Sequence, residues 1–324
     1  MMQKSTVGGF SPVSPIAREA EPRTVRKLLG RDYQIAWLFL LPLLIVLLGL
    51  IAYPFISAIW LSLQHKTVGG EATFIGLDNY TNLLFSEQYG GVFRKSVWVT
   101  FVYVVVAIVV KFVLGMAMAL LLNETFRGRS LVRGILFLPW AMPTLIVALA
   151  WRWIYEGSPN GLLNLILIDY FGSTDAVQWL ANPSLALWSV IGATVWQGTP
   201  FWTMMFLAGM QSIPKEMYEA AELDGANVFQ RFNFITLPGM RPVLVITTLL
   251  STIWTANSIN FIYVLTGGGP VNATMTFPML AFNIGIVGAR QMGLAAAVSV
   301  MFFPIFIIAI QMLTKRMLAV ESRA

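Results

Sequence analysis

Six long apolar runs dominate this sequence, and each is long enough to cross a lipid bilayer as one α-helix. A transmembrane helix needs roughly 20 apolar residues to span roughly 30 Å of hydrocarbon. The runs lie at 33–63, 96–122, 133–155, 184–211, 242–266 and 291–314. Of the 324 residues, 57% are hydrophobic and only 11% are charged, a composition that excludes a soluble domain. We therefore predict an all-α integral membrane protein with six transmembrane helices.

The predicted organisation has three parts: a disordered basic tail at 1–32, a six-span domain at 33–317 and a C-terminal tail at 318–324. The N-terminal segment is rich in Ser, Pro, Glu and Arg, which is typical of disordered chains. The apolar run after it is too long for a cleavable signal peptide, and no small-residue cleavage site follows. The sequence contains no cysteine, so disulfides are excluded.

The distribution of Lys and Arg predicts which side of the membrane each loop occupies. Fifteen of the 21 basic residues lie in the N-terminal tail, in the loops after the second and fourth spans, and at the C-terminus. Five lie on the opposite side, and Lys111 falls inside the second span. Both termini and the loop after the fourth span are therefore predicted to be cytoplasmic. The asymmetry explains the net charge of +6 and argues against nucleic-acid binding, because the basic residues flank apolar spans.

A polar segment at 212–238 separates the fourth and fifth spans and carries signals for two short helices. Pro214 suits the first turn of a helix, and acidic residues in the next two turns suit its positive end. Gly225 can adopt the left-handed conformation that ends such a helix. A second short helix is predicted from 226 to 234, stopped by Pro238. We therefore predict that the two helices and the bend between them form a compact surface feature to which a partner protein can bind.

The spacing of residues in this segment resembles that of the cytoplasmic coupling loop in permease subunits of binding-protein-dependent ABC importers. The matching residues are Glu219-Ala220-Ala221, then three residues, Gly225, then nine residues, and Ile235-Thr236-Leu237-Pro238. Four further features resemble the maltose-type carbohydrate permeases within that family, and together they extend the resemblance from about 36 to 317. They are Leu41-Pro42 with Tyr53-Pro54, Phe74-Ile75-Gly76-Leu77-Asp78-Asn79-Tyr80, Asp224-Gly225-Ala226 with Phe232 and Leu237-Pro238, and Leu265-Thr266-Gly267-Gly268-Gly269-Pro270.

The resemblance implies the type I permease fold of ABC importers and an assembly of several chains in a bacterial or archaeal plasma membrane. Such a permease pairs with a second homologous permease, a dimer of cytoplasmic ATPase subunits and an external solute-binding protein. The loop would dock into a cleft on the ATPase, with Glu219 contacting a basic residue there. The predicted coupling residues are Glu219, Ala220, Ala221, Asp224, Gly225, Ile235, Leu237 and Pro238.

The sequence contains no Gly-Lys dipeptide and therefore no Walker A phosphate loop. ATP and Mg²⁺ are accordingly expected on the partner ATPase. This chain is predicted to bind no cofactor or metal, and to catalyse no reaction. It would move its solute by alternating access, as ATP closes the ATPase dimer and the spans rock.

The centre of the fourth span carries a helix interruption surrounded by side chains that suit a sugar. Gly198 weakens the helix and Pro200 removes a backbone donor, and transporters commonly place binding sites at such interruptions. Aromatic rings can stack on a sugar ring, and amides and hydroxyls can bond its hydroxyl groups. The candidate path residues in this span are Trp196, Gln197, Thr199 and Trp202. A packed kink filled by tryptophan side chains is the alternative.

The fifth span carries three more candidates, Trp254, Asn257 and Asn260, spaced three residues apart. In a continuous helix this spacing keeps neighbouring side chains on one face. Polar residues at this depth usually face a cavity or another helix. The resemblance implies that this span lines the sugar path, and hydrogen bonding between helices is the alternative.

Lys111 has no obvious partner, because none of the six predicted spans contains a carboxylate. A basic residue at the centre of a membrane helix costs roughly 2.5–3.5 kcal/mol on insertion scales. It could face the second permease, reach a water-filled cavity or contact an anionic solute. A structural or interface role is the favoured interpretation.

Three other functions compete with a sugar importer. An importer permease for another solute, such as a phosphorylated compound, would share the coupling loop. A secondary transporter driven by an ion gradient would need carboxylates or a proton relay inside the spans, and an intramembrane enzyme would need catalytic residues there. The sequence offers neither of the last two arrangements.

Overall fold

The computed structural model describes residues 32–319, which are mostly helical. The tails predicted at 1–32 and 318–324 lie outside the described residues except for a few positions. Asp32 already begins the first helix, and 318–319 belong to the last one.

The elements of residues 32–319 are fifteen α-helices, three π-helical segments and one small sheet. The α-helices are α1 (Asp32–Leu47), α2 (Tyr53–Ser62), α3 (Asp78–Phe85), α4 (Gly90–Asn123), α5 (Arg129–Ala141), α6 (Thr144–Ile154), α7 (Leu162–Phe171), α8 (Pro183–Gln211), α9 (Lys215–Leu223), α10 (Val228–Arg231), α11 (Leu237–Gly239), α12 (Arg241–Asn257), α13 (Asn260–Leu265), α14 (Phe277–Phe282) and α15 (Met292–Ala319). The π-helical segments are Leu48–Ala52, Phe232–Thr236 and Asn283–Val287. The sheet pairs β1 (Gln64–His65) with β2 (Thr73–Phe74) in antiparallel register.

Each of the six predicted spans corresponds to a helix or a helix pair. Within 32–319, four stretches are long and apolar enough to cross a membrane: Trp37–Ser62, Gly90–Asn123, Arg241–Leu265 and Met292–Met312. The bent pair α5 and α6 makes a fifth if the two helices form one span. Helix α8 has 29 residues, about 44 Å at 1.5 Å per residue, but its Trp, Gln, Ser and Thr side chains make it less apolar. The count of six transmembrane helices stays a prediction.

The third predicted span, 133–155, is not one straight helix, because α5 and α6 meet at an angle of 93°. The break falls at Met142 and Pro143. A residue that precedes proline is sterically disfavoured in the α region, and Met142 is extended, with φ −75° and ψ 142°. Pro143 then occupies the N-cap of α6.

The fifth predicted span is also interrupted, since α12 ends at Asn257 and α13 begins at Asn260. Ser258 is extended between them, with φ −79° and ψ 126°. The Asn257 side-chain Nδ2 donates to the carbonyl of Ile253 at 2.8 Å, so this amide competes with the backbone for a helical carbonyl. The prediction that Trp254, Asn257 and Asn260 share one helical face was wrong, because the helix does not continue to Asn260.

The chain divides after Ile56 into two compact units. The described part of the first unit contains α1, the π-helical segment Leu48–Ala52 and the start of α2. Leu38, Phe39 and Leu50 are largely exposed in the isolated chain. Such an apolar, exposed surface is expected of a helix that faces lipid.

In the second unit, α4 packs extensively against α8. Gly115 of α4 permits this close approach, because a Cβ atom there would lie 2.6 Å from Cβ of Trp202. Small residues at such contacts allow membrane helices to pack closely.

Two apolar clusters form the core of the second unit. The first contains Tyr103, Val190 and Met279 among others, and the second, which we call the loop-end cluster, is formed by Met116, Ala119, Leu122, Trp202, Phe206, Leu207, Met210, Ile213, Ile235 and Met240. Along α4, Lys111 lies between the residues of the two clusters, and Gln197 does so along α8. A polar layer therefore separates the clusters and positions the cavity described below.

Candidate functional site

The first helix of the predicted coupling loop (212–238) forms as its sequence predicts. Helix α9 begins directly after Pro214 and ends at Leu223, with Asp224 as its C-cap. Gly225 follows with φ +80°, in the left-handed region, and its N–H donates to the carbonyl of Glu222 at 3.1 Å. Glycine adopts this conformation without steric cost, so it can end the helix here.

Asn227 is the N-cap of the second helix, α10. It forms a capping box with Gln230, in which each side chain accepts a hydrogen bond from the backbone N–H of the other residue. The helix does not stop at Pro238, so that prediction was wrong. The helical path continues from α10 through the π-helical segment Phe232–Thr236 into α11. Proline removes an i→i−4 hydrogen bond and crowds the preceding turn. The wider π turn accommodates this, and Leu237 N–H donates to the carbonyl of Phe232, five residues back.

The inner face of the predicted coupling loop is anchored in the membrane domain. Ile235 is buried in the loop-end cluster, against which Ala221 and Leu237 also pack. The hydroxyls of Tyr218 and Thr236 lie 2.9 Å apart and form a hydrogen bond between the two helical segments. The loop is therefore attached to α8 and α12 through a shared apolar core.

The outer face of the loop is exposed and mixes charge with large apolar groups. Five of the eight predicted coupling residues lie there: Glu219, Ala220, Asp224, Gly225 and Pro238. Three apolar neighbours were not predicted from the sequence: Leu223, Phe229 and Phe234, which are 90%, 79% and 77% exposed. Exposed apolar residues of this size are typical of protein interaction surfaces. They could have been predicted as large apolar residues on the side of each short helix opposite Ala221 and Ile235.

A shallow groove crosses this outer face. It has a volume of about 280 Å³ and is lined by Asp224, Gly225, Ala226, Gln230 and Phe234. One ion pair lies beside it, between Arg231 Nη1 and Glu222 Oε2 at 3.3 Å. Because the carboxylate of Glu222 is engaged in this pair, Glu219 and Asp224 are the carboxylates better placed to meet a basic partner.

A second candidate site is a cavity of about 170 Å³ between the middle of α8 and the C-terminal part of α12, which we call the mid-span cavity. It is lined by four aromatic residues and eight mostly polar ones, which are Lys111, Trp140, Thr144, Thr194, Gln197, Gly198, Phe201, Ser251, Trp254, Thr255, Ser258 and Phe261. The rings of Phe201 and Trp254 lie 5.1 Å apart, and those of Trp140 and Phe201 are stacked at 6.0 Å. Aromatic faces, hydroxyls and an amide thus meet within one polar layer.

Two of the seven predicted path residues, Gln197 and Trp254, line the mid-span cavity. Gln197 Nε2 donates to the carbonyl of Met142 at 3.1 Å and lies 3.4 Å from Thr144 Oγ1. The amide therefore satisfies the backbone at the bend between α5 and α6, which an apolar environment would leave without a partner.

Two other predicted path residues, Trp202 and Thr199, are buried in the helix packing. Trp202 lies between Phe112 and Phe206, and its Nε1 donates to Ser251 Oγ at 3.0 Å. Thr199 Oγ1 donates to the carbonyl of Val195, within its own helix, at 2.7 Å. Neither side chain lines the mid-span cavity.

The remaining three candidates lie outside the mid-span cavity. Trp196 is about half exposed and makes an edge-to-face contact with Trp151 at 5.7 Å. Asn257 lines a different pocket of about 460 Å³ beside α14 and α15. Asn260 is exposed at the start of α13. The structure therefore does not bring the seven candidates together, and their role in the path stays a prediction.

Several residues that line the mid-span cavity were not predicted from the sequence, among them Trp140, Phe201, Ser251 and Thr255. Phe201 lies within the motif that predicted the path, and Ser251 and Thr255 lie three residues before and one after Trp254. Helical spacing could have selected Ser251 and Thr255, which are four apart and so share a face. Trp140 could not have been selected, because only the 93° bend brings α5 to the cavity.

A larger cavity, of about 660 Å³, lies elsewhere. It lies near the start of α8, at the end away from the predicted coupling loop, and includes Arg152, Glu156 and Gln178. Arg152 Nη1 donates to the carbonyl of Val264 at 3.3 Å, so its guanidinium links α6 to α13.

The sequence profile described as "Binding-protein-dependent transport system inner membrane component" matches residues 111–317. The chain belongs to this family. The match covers more than half of the sequence, and it includes the predicted coupling loop and every residue that lines the mid-span cavity. Membership confirms the predictions of an ABC importer permease fold and of a transport subunit rather than an enzyme.

Named relatives agree with this family of inner membrane components. The "Trehalose/maltose transport system permease protein MalF" of Thermococcus litoralis is 41% identical over 278 residues, covering 86% of this chain and 91% of the relative. The "Trehalose transport system permease protein SugA" of Mycobacterium tuberculosis is 30% identical over 274 residues, covering 84% and 85%.

A solved structure gives the fold of this inner membrane component independently. One chain of a bacterial ABC transporter involved in the import of the acidic polysaccharide alginate matches with a TM-score of 0.74. The identity is 23%, over 90% of this chain and 98% of that chain. The similarity covers nearly all of both chains, so the two share one fold.

Proposed function

We propose that this chain is the membrane-spanning permease subunit of a sugar importer. The observation that carries the proposal is the mid-span cavity, where aromatic rings, hydroxyls and an amide meet between the middle of α8 and the C-terminal part of α12. Such groups suit a solute with an apolar ring face and many hydroxyls. The names of the relatives, which specify trehalose and maltose, support the same class of solute.

The importer would contain four further kinds of component besides this chain. They are a second homologous permease, a dimeric cytoplasmic ATPase, ATP with Mg²⁺ on that ATPase, and an external solute-binding protein. We place the assembly in a bacterial or archaeal plasma membrane, with both termini and the predicted coupling loop on the cytoplasmic side. The distribution of Lys and Arg supports this orientation.

The predicted coupling loop would transmit the ATPase cycle to the spans. Its outer face would dock on the ATPase through Glu219, Asp224 and the groove beside Gly225, with Glu219 bonding a basic residue. Its inner face shares the loop-end cluster with α8 and α12. A movement of the docked loop would therefore move the helices that line the mid-span cavity, which is the requirement for alternating access.

Within the path we propose Gln197 and Trp254 as direct sugar contacts, because both line the mid-span cavity. Trp196, Asn257 and Asn260 are exposed and would contact the sugar at other stages of its passage or meet the second permease. Trp202 and Thr199 would support the cavity from behind, because they are buried in the packing against it.

The test begins with gentle solubilisation of the chain from its native membrane and identification of copurifying proteins by mass spectrometry. We expect an ATPase with a Walker A motif and a second membrane permease. The copurified complex is then reconstituted in vesicles with its solute-binding protein, and ATP-dependent uptake of labelled maltose and trehalose is measured. Recovery of the chain alone under conditions that keep other importers intact would contradict the assembly. Uptake of only a phosphorylated or other non-sugar solute would contradict the sugar assignment.

A further inference from the structure

Lys111 occupies an unusual environment for a cation. It is buried within α4, only 3% exposed, and lines the mid-span cavity. A basic side chain at this depth is costly to bury and is therefore rare outside functional positions. Among residues 32–319, Lys111 forms no salt bridge. The amine must therefore be satisfied by neutral oxygen acceptors.

The protein supplies two such acceptors, both on α12. Lys111 Nζ donates to Thr255 Oγ1 at 2.8 Å and to Ser251 Oγ at 3.4 Å. The first bond is short and the second is long, and the ammonium group has three N–H donors. The amine thus retains donor capacity at the wall of a cavity that contains no acidic side chain.

The route of the side chain is also specified by the sequence. Lys111 starts on α4 and crosses α8 at Gly198 to reach α12. A Cβ atom at 198 would lie 2.7 Å from Lys111 Cδ and 3.4 Å from Nζ. Glycine at this position therefore leaves the space that the Lys111 side chain needs to reach the cavity.

We propose that Lys111 is a solute contact that donates a hydrogen bond to an oxygen atom of the transported molecule at mid-membrane. Thr255 and Ser251 hold the amine while the cavity is empty, and the oxygen of the solute takes the remaining N–H. Phe201 and Trp254, whose rings lie 5.1 Å apart at the same cavity, face the apolar side of the solute. The acceptor is a hydroxyl or ring oxygen of a neutral sugar, or the carboxylate of an acidic one. This inference rests on the proposed import of a sugar.

The experiment uses the complete reconstituted importer and measures KM and kcat for ATP-dependent uptake. The probes are maltose, trehalose, each of their monodeoxy analogues, and a disaccharide containing a uronic acid. The variants are Lys111→Met, which keeps the length but removes the donors, and Lys111→Gln, which keeps a neutral donor. Thr248→Val is the matched control, because Thr248 is buried on α12 one turn from Ser251, bonds its own helix and does not line the cavity.

We expect Lys111→Met to raise KM about tenfold for the transported sugar, which corresponds to about 1.4 kcal/mol, because hydrogen bonds to charged groups are stronger than those between neutral groups. One deoxy analogue should show a similar loss with the unsubstituted importer and no further loss with Lys111→Met. Lys111→Gln should retain part of the uptake of a neutral sugar, whereas it should abolish a preference for the uronic acid if the acceptor is a carboxylate. Thr248→Val should leave KM within twofold.

Three outcomes would overturn the inference. They are an unchanged KM in Lys111→Met, an equal rise in KM for the sugar and for every deoxy analogue in that variant, or failure of both Lys111 variants to assemble with their partners. The last two would show that the amine only ties α4 to α12. If the unsubstituted importer took up none of these sugars, the proposed function would fail instead, and that result is distinct because it needs no variant.

Discussion

The predicted coupling loop and the mid-span cavity differ in how far apart along the chain their residues lie. The loop is built from one continuous segment, 212–238, whose turns are dictated by local chemistry at Pro214, Gly225 and Asn227. The cavity takes its walls from α4, α5, α6, α8, α12 and α13. A continuous segment leaves a readable spacing in the sequence, whereas a cavity between distant helices leaves only isolated polar residues in apolar runs.

The two regions should also fail differently. A change on the outer face of the loop should separate ATP hydrolysis from transport and leave KM for the sugar unchanged. A change in the cavity should raise KM and leave the number of ATP molecules used per sugar unchanged. The following predictions test this contrast, beginning with the largest expected effect.

Gly225→Asp should reduce uptake by roughly fiftyfold or more while the protein still reaches the membrane. Aspartate at φ +80° costs about 1–2 kcal/mol, and its charge would enter the groove beside Asp224. The measurement is sugar uptake together with ATP hydrolysis by the same vesicles. The matched control is Gly172→Asp, since Gly172 ends α7 with φ +69° and also has free space around it. Equal losses at both positions would indicate backbone strain rather than docking.

Trp254→Ala should raise KM about tenfold, because an aromatic contact contributes about 0.5–1.5 kcal/mol beyond the area it buries. The ATP used per sugar should stay constant. Trp188→Ala is the control, since Trp188 is as exposed as Trp254 and lies outside the mid-span cavity. If Trp254→Ala instead increased ATP hydrolysis without uptake, the cavity and the loop would not be separable in the way proposed.

Gly198→Ala should raise KM about fivefold by displacing Lys111, whose Cδ would lie 2.7 Å from the new methyl group. Clashes of this kind cost typically about 1–3 kcal/mol in packed interiors, and a flexible lysine can relieve part of the cost. Gly134→Ala in α5, where a Cβ would contact nothing, should have no effect on KM. Equal KM values for the two variants would show that the route of Lys111 is not constrained at 198.

Glu219→Gln should have the smallest effect, a loss of about threefold in coupled uptake with KM unchanged. An exposed charge pair contributes only about 0.2–1 kcal/mol, and Glu219 is exposed. The effect should diminish at high salt because exposed pairs are screened. Glu216→Gln, on the first turn of the same helix, is the control. An effect on KM rather than on coupling would contradict the docking role.

The sequence predicted the fold and the first half of the loop because their signals are local. Apolar runs of about 20 residues located the spans, and Pro214 and Gly225 located both ends of α9. The predictions that were wrong concern places where one proline or amide acts against its neighbours. Pro238 does not end the helix, because the π-helical segment before it accommodates the missing hydrogen bond. The Asn257 side chain donates to a backbone carbonyl where the helix breaks.

The sequence could select only part of the cavity, for a different physical reason. Gln197 was predicted because it adjoins an interruption expected at Gly198 and Pro200, but α8 runs unbroken from Pro183 to Gln211, so that expectation was wrong. Trp254 was predicted from its three-residue spacing with two asparagines. Trp202 was predicted on the same grounds as Gln197, yet it is fully buried against Phe112 and Phe206. Which way each tryptophan points depends on how closely α4 and α8 approach at Gly115, and that distance is a property of two helices together.

The helical path between the loop and the cavity has a consequence for how such proteins can change. Met240 N–H donates to Thr236 at 3.0 Å and Leu244 N–H donates to Met240 at 2.9 Å, so backbone hydrogen bonds cross the junction into α12. Ile235 and Trp254 therefore lie on one continuous run of helical segments, which we call the shaft, about 29 Å apart at 1.5 Å per residue. Insertion or deletion of one residue in this shaft would turn its two ends relative to each other by about 100°. Both sites would keep their residues, but one would face a different direction relative to the other. A loop exchanged between relatives should therefore work only when the number of residues between Pro238 and Ser251 is preserved.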